Sequence, residues 1–209
     1  MMPALMQYEA GLLGGGTQVI DRSGRRRALP LARWAGIVSA GDEGLLRACT
    51  GPTLDIGCGP GRLTAALTER AIPALGVDIS AVAVRLTLER GGLAIKRSVF
   101  DALPGLGRWR SLLLADGNIG IGGNPVALLR RCRELMCDQG TVLLDLAEPG
   151  SGLLIEELRL IESGRISAPF RWCRLGVDAL APVAAAAGLV VRDIWLQDGR
   201  WQAELARPR

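Results

Sequence analysis

The sequence predicts an α/β fold with a doubly wound, mostly parallel sheet that ends in an antiparallel hairpin. Three observations support this prediction. Short apolar runs alternate with segments of helical period from residue 53 onwards, glycines follow the first apolar run at every second position, and two strand-like runs near the end of the chain flank Asp198-Gly199. Alternating strands and helices are typical of parallel sheets covered on both faces, and an Asp-Gly dipeptide favours a hairpin turn.

Length, composition and charge describe an ordinary globular chain. It has 209 residues, 49% of them hydrophobic, which fits one domain with a sizeable core. The formal charge of +4 comes almost wholly from arginine, since Lys96 is the only lysine. A nucleic-acid footprint would be a concentrated basic stripe, whereas the densest basic run here, 22–27, is short. We therefore expect no nucleic-acid partner.

Cysteine and histidine usage argues against a metal site. The five cysteines lack paired C-x-x-C spacing and the chain has no histidine, so we expect no bound metal. The cysteines suit reduced thiols, and no export signal is apparent, so a cytoplasmic location is expected. The longest uncharged apolar stretch, 179–191, is too short to span a bilayer, and we expect no membrane partner. The sequence leaves the oligomeric state unknown.

The N-terminal residues, 1–41, show no sustained helical or strand period and include a run of three glycines. We expect an irregular N-terminal arm over 1–41, followed by a single domain over 42–209. Tyr8, Arg33 and Trp34 are the arm residues best able to contact a ligand. The alternative is that its aromatic side chains anchor the arm to the core.

The first predicted strand, 53–56, runs into a loop that contains Gly57, Gly59 and Gly61. Glycines tolerate positive φ and let a ligand lie against bare backbone, while a helix that begins here points unpaired N–H groups at the ligand. A nucleotide-like ligand is the natural occupant. The dinucleotide fingerprint G-x-G-x-x-G is not met, because its third glycine position is Arg62.

A second strand follows one helix later. Helical spacing over 63–71 and an apolar run over 74–79 complete a strand, helix, strand unit. Asp78 closes the second strand, where an acid can accept both hydroxyls of a ribose. The alternative role is to cap the next helix, but Ser80 is better placed for that.

The third and fourth strands are predicted at 94–100 and 110–116. Asp101 follows the third strand, and on spacing alone it could merely start a turn toward Pro104-Gly105. The fourth strand runs into a glycine-rich loop, 117–124, at the edge where open α/β sheets bind ligands. The remaining predicted elements are a helix from 125 to 137, a fifth strand at 141–146, a hairpin or lid at 153–166, a helix at 178–187 and two hairpin strands at 189–197 and 200–206.

The string D-x-G-x-G-x-G from Asp55 to Gly61 resembles motif I of the class I S-adenosylmethionine-dependent methyltransferases. The resemblance continues as an ordered series of elements over 42–207, with Asp78 and Asp101 after the next two strands. It implies a Rossmann-like, doubly wound sheet of seven strands with the last strand reversed. It also implies S-adenosyl-L-methionine as methyl donor and S-adenosylhomocysteine as product.

The resemblance also assigns donor contacts. Asp55 would face the methionyl end of the donor, Asp78 the ribose, and Asp101 with the backbone of Ala102 the adenine. The full set of expected donor-binding residues is Asp55, Gly57, Cys58, Gly59, Gly61, Asp78, Ile79, Asp101, Ala102 and Asp116. Cys58 is expected to be only a small loop residue, because the donor itself would occupy the space of a covalent adduct.

Methyl transfer is an in-line displacement, so the protein must mainly orient the acceptor and exclude water. Without histidine, a general base would have to be a carboxylate, a tyrosine or a cysteine. Asp116, at the end of the fourth strand, is the candidate catalytic base, and Asn118 is the candidate orienting group. The alternative is that Asp116 caps the backbone of its own loop.

We expect a small-molecule acceptor between the loop 117–124 and a lid formed by the arm and 151–175. The loop lacks the N-P-P-Y-type sequence of methylases that act on amino groups of DNA bases and glutamine. Side chains in these segments suit an anionic or aromatic acceptor: Arg33, Trp34, Asn118, Arg171, Trp172 and Arg174. Alternatively, the tryptophans are core plugs and the arginines are solvated. Two other function classes stay open, a donor-binding regulatory or partner protein without catalysis and a nicotinamide-dependent oxidoreductase.

Overall fold

The structure is a computed structural model that describes residues 3–208. The first two residues of the predicted arm, and Arg209, lie outside the described residues. The α-helices are α1 Ala4–Leu12, α2 Leu31–Trp34, α3 Glu43–Ala48, α4 Arg62–Glu69, α5 Ala81–Glu89, α6 Pro125–Leu135 and α7 Val177–Ala186. The strands are β1 Gln18–Ile20, β2 Arg26–Ala28, β3 Thr53–Ile56, β4 Ala74–Asp78, β5 Ala94–Lys96, β6 Trp109–Leu114, β7 Met136–Leu146, β8 Leu153–Glu162, β9 Arg165–Ile166, β10 Phe170–Leu175, β11 Val190–Gln197 and β12 Arg200–Ala206. Short 3-10 helices occur at Ala40–Asp42 and Asn118–Gly123.

The main sheet has seven strands in the order β11-β12-β7-β6-β3-β4-β5. The five strands from β7 to β5 are parallel, while β12 is antiparallel to β7 and to β11. The predicted α/β, Rossmann-like fold with a C-terminal antiparallel hairpin is therefore confirmed. Asp198 and Gly199 form the hairpin turn with φ values of 48° and 75°, which an Asp-Gly pair accepts readily.

Both faces of the main sheet are covered, which explains why the parallel strands are apolar throughout. In β6, Leu112 and Leu114 join the core cluster that contains α6 and α7, whereas Leu113 joins the cluster that contains α3 and α4. Successive side chains of a strand point to opposite faces, so both faces of the sheet are covered by helices. The helix starts follow the predicted caps. Ser80 Oγ accepts the N–H of Ala83 at 3.0 Å, and Asn124 Oδ1 caps α6 at 3.0 Å.

The N-terminal segment is not irregular, and that expectation is wrong. It contains α1, β1, β2 and α2, and its strands enter a second, antiparallel sheet with the order β10-β8-β1-β2, to which β9 is attached through β8. The strands β1 and β2 have only three residues each, too few to show a period in sequence. Their pairing with β8 joins the arm to the segment 151–175 in one sheet.

Two side chains of the arm attach it to the carboxyl edge of the main sheet. Glu9 Oε1 accepts hydrogen bonds from Ser80 Oγ and Ala81 N at the start of α5, both at 2.9 Å. A carboxylate at this position is stabilised by the helix N-terminus. Arg33 donates to the carboxylate of Asp116 at the end of β6. The second sheet therefore covers the edge where the parallel strands end.

Candidate active site

A cavity of about 770 Å³ lies between the two sheets. One half is lined by residues at the carboxyl ends of the main-sheet strands, and the other by the arm and the second sheet. Small-molecule sites commonly have volumes of ~300–1,000 Å³, so this one is large. We call the two parts the strand-end half and the second-sheet half.

The glycine loop after β3 forms the floor of the strand-end half. Gly57, Gly59 and Gly61 have φ values of 72°, 55° and 82°, which strongly favour glycine. A Cβ at Gly61 would lie 2.6 Å from Thr87, and one at Gly57 would lie 2.8 Å from Asn118 Nδ2. At Gly59 it would meet only Tyr8 Oη, at 3.4 Å. Two of the glycines are thus also required by packing within the protein, and Gly59 is the one with open space beside it.

Asp55, on β3, lines the strand-end half and is 2% exposed. Burial raises the pKa of its carboxyl to about 6, although a 2.7 Å hydrogen bond from Thr64 Oγ1 acts in the opposite direction. A raised pKa means that the protein bears an energetic cost for the ionised form. Such a carboxylate gains from any cation that enters the cavity beside it.

Asp78, at the end of β4, accepts two backbone hydrogen bonds. The N–H of Gly59 donates to one oxygen at 3.0 Å, and the N–H of Ser80 donates to the other at 2.8 Å. Burial raises the pKa of this carboxyl as well, against the effect of those bonds. Each oxygen keeps a lone pair for a ligand hydroxyl. Ile79, next in sequence and also in the lining, leaves 53% of its surface exposed.

Asp101 and Ala102 do not line the cavity, unlike the other expected donor-binding residues apart from Gly61. The Asp101 carboxylate accepts the N–H of Ser98 at 3.0 Å, which closes a local turn over 98–101 rather than starting one toward Pro104-Gly105. The stretch that does reach the cavity is 97–99, because β5 ends at Lys96, earlier than predicted. Nothing in the sequence distinguished these residues as ligand contacts.

Asp116 is held by guanidinium groups rather than left free. Its backbone has a φ of 55°, and its carboxylate accepts from Arg62 at 2.6 Å, from Arg200 at 3.0 Å and from Arg33. Both oxygens are engaged, because three guanidinium groups of the protein already bind this carboxylate. Asn118 Nδ2 donates to the carbonyl oxygens of Ile56 and Gly57 at 2.8 and 2.9 Å. Both side chains hold the loops that line the cavity.

Asp116 belongs to a buried group that we call the charge cluster: Asp42, Arg62, Asp116, Asp145 and Arg200. Arg62 is 4% exposed and pairs with both Asp42 and Asp116. Burial raises the pKa of the Asp42 carboxyl, but hydrogen bonds from Arg62 and Ser39 outweigh it and lower that pKa to about 2. Sequence reasoning missed the cluster, because its members come from five separate segments of the chain.

The second-sheet half is apolar and aromatic. Val19, Leu158 and Leu160 form its small core cluster, against which Tyr8, Leu29, Phe170 and Trp172 pack. Trp34 lines the same region and stands edge-on to Tyr8 with ring centroids 6.3 Å apart. Trp34 and Trp172, the tryptophans predicted to contact an acceptor, line the cavity. Each also packs against a neighbouring aromatic ring, which is compatible with the alternative interpretation.

Of the predicted acceptor contacts, four line the cavity and two do not. Trp34, Asn118, Arg171 and Trp172 are among the lining residues. Arg33 pairs with Asp116, and Arg174 lies 3.7 Å from Glu156.

The glycine-rich loop after β6 packs directly against β10 of the second sheet. A Cβ at Gly120 would overlap the indole nitrogen of Trp172 and the carbonyl oxygen of Cys173, and one at Gly123 would lie 2.7 Å from Arg171 Cβ. The thiol of Cys173 also contacts the carbonyl oxygen of Ile119 at 3.3 Å. The glycines of this loop are therefore used for close packing between the two sheets.

Within residues 3–208, no group of three or more His, Cys, Asp or Glu side chains is arranged to hold a metal ion. In the same range, no helix has the length and apolar character needed to cross a bilayer. The thiol of Cys58, in the glycine loop, is buried, which raises its pKa well above the ordinary value.

Solved structures with the same fold are methyltransferases. A SAM-dependent methyltransferase from Bacteroides fragilis, in complex with S-adenosyl-L-homocysteine, is 20% identical with a TM-score of 0.83 over 99% of this chain and 95% of that chain. The 1,6-didemethyltoxoflavin-N1-methyltransferase of Burkholderia thailandensis is 17% identical, with a TM-score of 0.57 over 81% and 75%. The sugar N-methyltransferase KedS8 from Streptoalloteichus is 16% identical, with a TM-score of 0.60 over 82% and 88%.

Comparison with protein-family models gives no match, and comparison with curated proteins gives none either. The similarity to solved structures therefore establishes the fold. The chain has the fold of the class I S-adenosylmethionine-dependent methyltransferases.

Proposed function

We propose that this protein transfers a methyl group from S-adenosyl-L-methionine to a small-molecule acceptor and releases S-adenosylhomocysteine. The observation that carries the proposal is the single cavity with two unlike halves. Its strand-end half has a glycine loop flanked by Asp55 and Asp78, and its second-sheet half is lined mainly by apolar and aromatic side chains. The structural neighbours include proteins crystallised with S-adenosylhomocysteine.

The residues of the strand-end half fit the donor chemically. Gly59 leaves backbone uncovered, Asp55 offers a carboxylate to the donor's ammonium group, and Asp78 offers lone pairs to the ribose hydroxyls. The exposed side chain of Ile79 offers an apolar face to the adenine. When bound, the donor supplies an electrophilic methyl group on a sulfonium sulfur.

The protein's own contribution to the reaction is positioning and exclusion of water. The second sheet closes over the strand ends, so an acceptor bound against it faces the donor pocket. Orientation of two reactants can supply roughly 7–11 kcal/mol of barrier reduction. We assign Asp116 and Asn118 to positioning of the cavity loops instead of proton transfer, since guanidinium donors occupy both oxygens of Asp116. The proposed transfer therefore uses neither of these side chains as a base.

The proposal extends to domain organisation and location. Residues 42–209 form the methyltransferase domain, and the arm with 151–175 forms its lid. The protein acts in the cytoplasm, as its five free cysteines, four of them buried, suit a reducing compartment.

Calorimetry and turnover together test the function. The purified protein should bind S-adenosyl-L-methionine and S-adenosylhomocysteine but not NAD, and a donor at a hundred times its Kd should add about 2.7 kcal/mol of stability. Release of S-adenosylhomocysteine in the presence of an acceptor panel distinguishes an enzyme from a donor-binding partner protein. Binding of NAD without binding of the donor would refute the proposal.

A further inference from the structure

We infer that the acceptor is a flat aromatic anion whose negative group is bound by Arg27. The inference rests on the proposed function and names the class of substrate that enters the second-sheet half of the cavity.

The strand register places Arg27 on the cavity side of the second sheet. Val19 of β1 is directly paired with Arg27 of β2 and with Leu160 of β8. Directly paired residues lie on the same face of a sheet, and so do residues two apart in one strand. Arg27 therefore shares the face of Val19, Leu158 and Leu160, and all four line the cavity.

The guanidinium of Arg27 has donors to spare. Its nearest carboxylate is that of Glu156, at 3.5 Å, a distance at the limit of hydrogen bonding, and that carboxylate also lies 3.7 Å from Arg174. Two other arginines of the arm are already paired with carboxylates. Arg22 makes two hydrogen bonds to Glu157, at 3.2 and 2.9 Å, and Arg33 binds Asp116. A guanidinium with open N–H groups recognises a carboxylate or a similar anion in a bidentate manner.

The polar side chains in this half of the cavity are all able to donate hydrogen bonds, and none is a carboxylate or an amide from the arm or the second sheet. The lining carboxylates, Asp55, Asp78 and Asp116, come from the main sheet. Trp34 Nε1 is buried and has no hydrogen-bond partner within residues 3–208. Apart from Glu156 beside Arg27, a sugar would find few acceptors in this half for its many hydroxyl groups, and donors left unpaired away from water are costly.

The aromatic side chains determine the shape of ligand that fits the second-sheet half. Tyr8, Trp34, Phe170 and Trp172 line the same half, and two pairs of them stand edge-on at 6.3 and 6.4 Å between ring centroids. Such walls favour flat rings, which can stack or meet their edges. Flat apolar walls, donor groups and the guanidinium of Arg27 together select an aromatic ring that carries an anion.

The test uses full-length protein saturated with S-adenosylhomocysteine. Calorimetry measures binding of benzoate, 2-naphthoate and anthracene-2-carboxylate, each against its primary amide, with glucosamine as the sugar probe. We expect at least one acid to bind at least tenfold more tightly than its amide. Arg27→Gln should lower the affinity for that acid to the level of the amide, and Arg27→Lys should restore part of it.

Arg26→Gln is the matched control. Arg26 is the exposed neighbour of Arg27 on β2, and its register partner Ile20 places it on the opposite face. This control variant should bind the acid as the wild type does.

Several outcomes would overturn the inference: no acid binds, acid and amide bind equally, glucosamine alone binds, or Arg27→Gln binds the acid like the wild type. Affinity for S-adenosylhomocysteine is measured first in every variant. If the wild type does not bind it, the proposed function itself fails. If the wild type binds it but no acid, only the present inference fails. If Arg27→Gln misfolds and no longer binds S-adenosylhomocysteine, two other measurements decide. These are the ratio of acid affinity to amide affinity in the wild type, and the acid affinity of Arg27→Lys.

Discussion

At the scale of single residues, the two acids of the strand-end half are ionised at a free-energy cost in the empty cavity, and a bound ligand would offset that cost. Asp55 and Asp78 are buried with raised pKa values, and within residues 3–208 neither is paired to a cation. A site that holds carboxylates in this way is destabilised when empty and is stabilised by a ligand with positive charge or hydroxyl groups.

Replacement of Asp55 by Asn should stabilise the free protein at pH 8 and weaken donor binding. The folded-state pKa of about 6 lies above the ordinary 3.8, so the cost of ionisation is absent below 3.8 and complete above about 6. At 1.36 kcal/mol per pKa unit this cost is roughly 3 kcal/mol. Urea unfolding should show a gain at pH 8 that shrinks as the pH falls below 6. Equal stability of the two proteins at pH 8 would contradict the prediction.

Asp78→Asn should weaken binding of S-adenosylhomocysteine by about tenfold to a hundredfold, because hydrogen bonds to a charged group contribute roughly 1.5–3 kcal/mol. Asp101→Asn is the matched control, since Asp101 closes an exposed turn outside the cavity. Calorimetry compares the two variants with the wild type. An equal loss in Asp101→Asn would return that residue to the adenine contact that the family resemblance implies.

At the scale of elements, the glycine-rich loop after β6 and strand β10 behave as one packed unit. Gly120→Ala would place a methyl group against the Trp172 ring and the backbone of Cys173, so β10 must move away. Overpacking of this kind costs about 1–3 kcal/mol. The control is Gly16→Ala, where a Cβ would meet no heavy atom within 4 Å. Thermal unfolding should show a lower Tm for the first variant only, and a Tm equal to the control would refute the packing argument.

Sequence reasoning succeeded where a structure is encoded locally. The parallel strands are apolar runs, and their ends are marked by glycines or acids within one or two residues, so Asp55 and Asp78 could be placed at one edge. The short strands β1 and β2 could not be found, because what stabilises them is pairing with distant β8. The adenine role of Asp101 is what the family resemblance implies for an acid after the third strand, but β5 ends early and the residues that line the cavity here are 97–99.

At the scale of the whole molecule, the charge cluster connects distant parts of the chain. Arg200 of β12 binds Asp42, which precedes α3, at 2.6 Å across 158 residues of sequence, and also binds Asp116 and Asp145. Most of its members are buried, and such groups are stable only while their charges balance. The cluster fixes the C-terminal hairpin relative to the loops that line the cavity.

Arg200→Met should lower the free energy of unfolding by about 3–5 kcal/mol at pH 8, since it leaves buried carboxylates uncompensated. The loss should be smaller at pH 5. Burial already raises the pKa of Asp145 and Arg200 opposes that rise, so without the arginine this carboxyl takes up a proton more readily. Arg192→Met, on the exposed edge strand β11, is the control. Urea unfolding of both variants at the two pH values decides, and a loss that does not depend on pH would contradict the argument.

The second sheet has a consequence for the order in which the protein is made. Arg22, just after β1, and Glu157 of β8 are bonded to each other but are 135 residues apart in sequence. During synthesis the arm leaves the ribosome first, and β1 can pair with β2, but its second partner, β8, has yet to emerge. The parallel core from β3 to β7 is complete before that point, and closing so long a loop is a slow step. A nascent chain can therefore form the strand-end half of its cavity while the second-sheet half is still missing, and the second sheet is complete only after β10 has been synthesised.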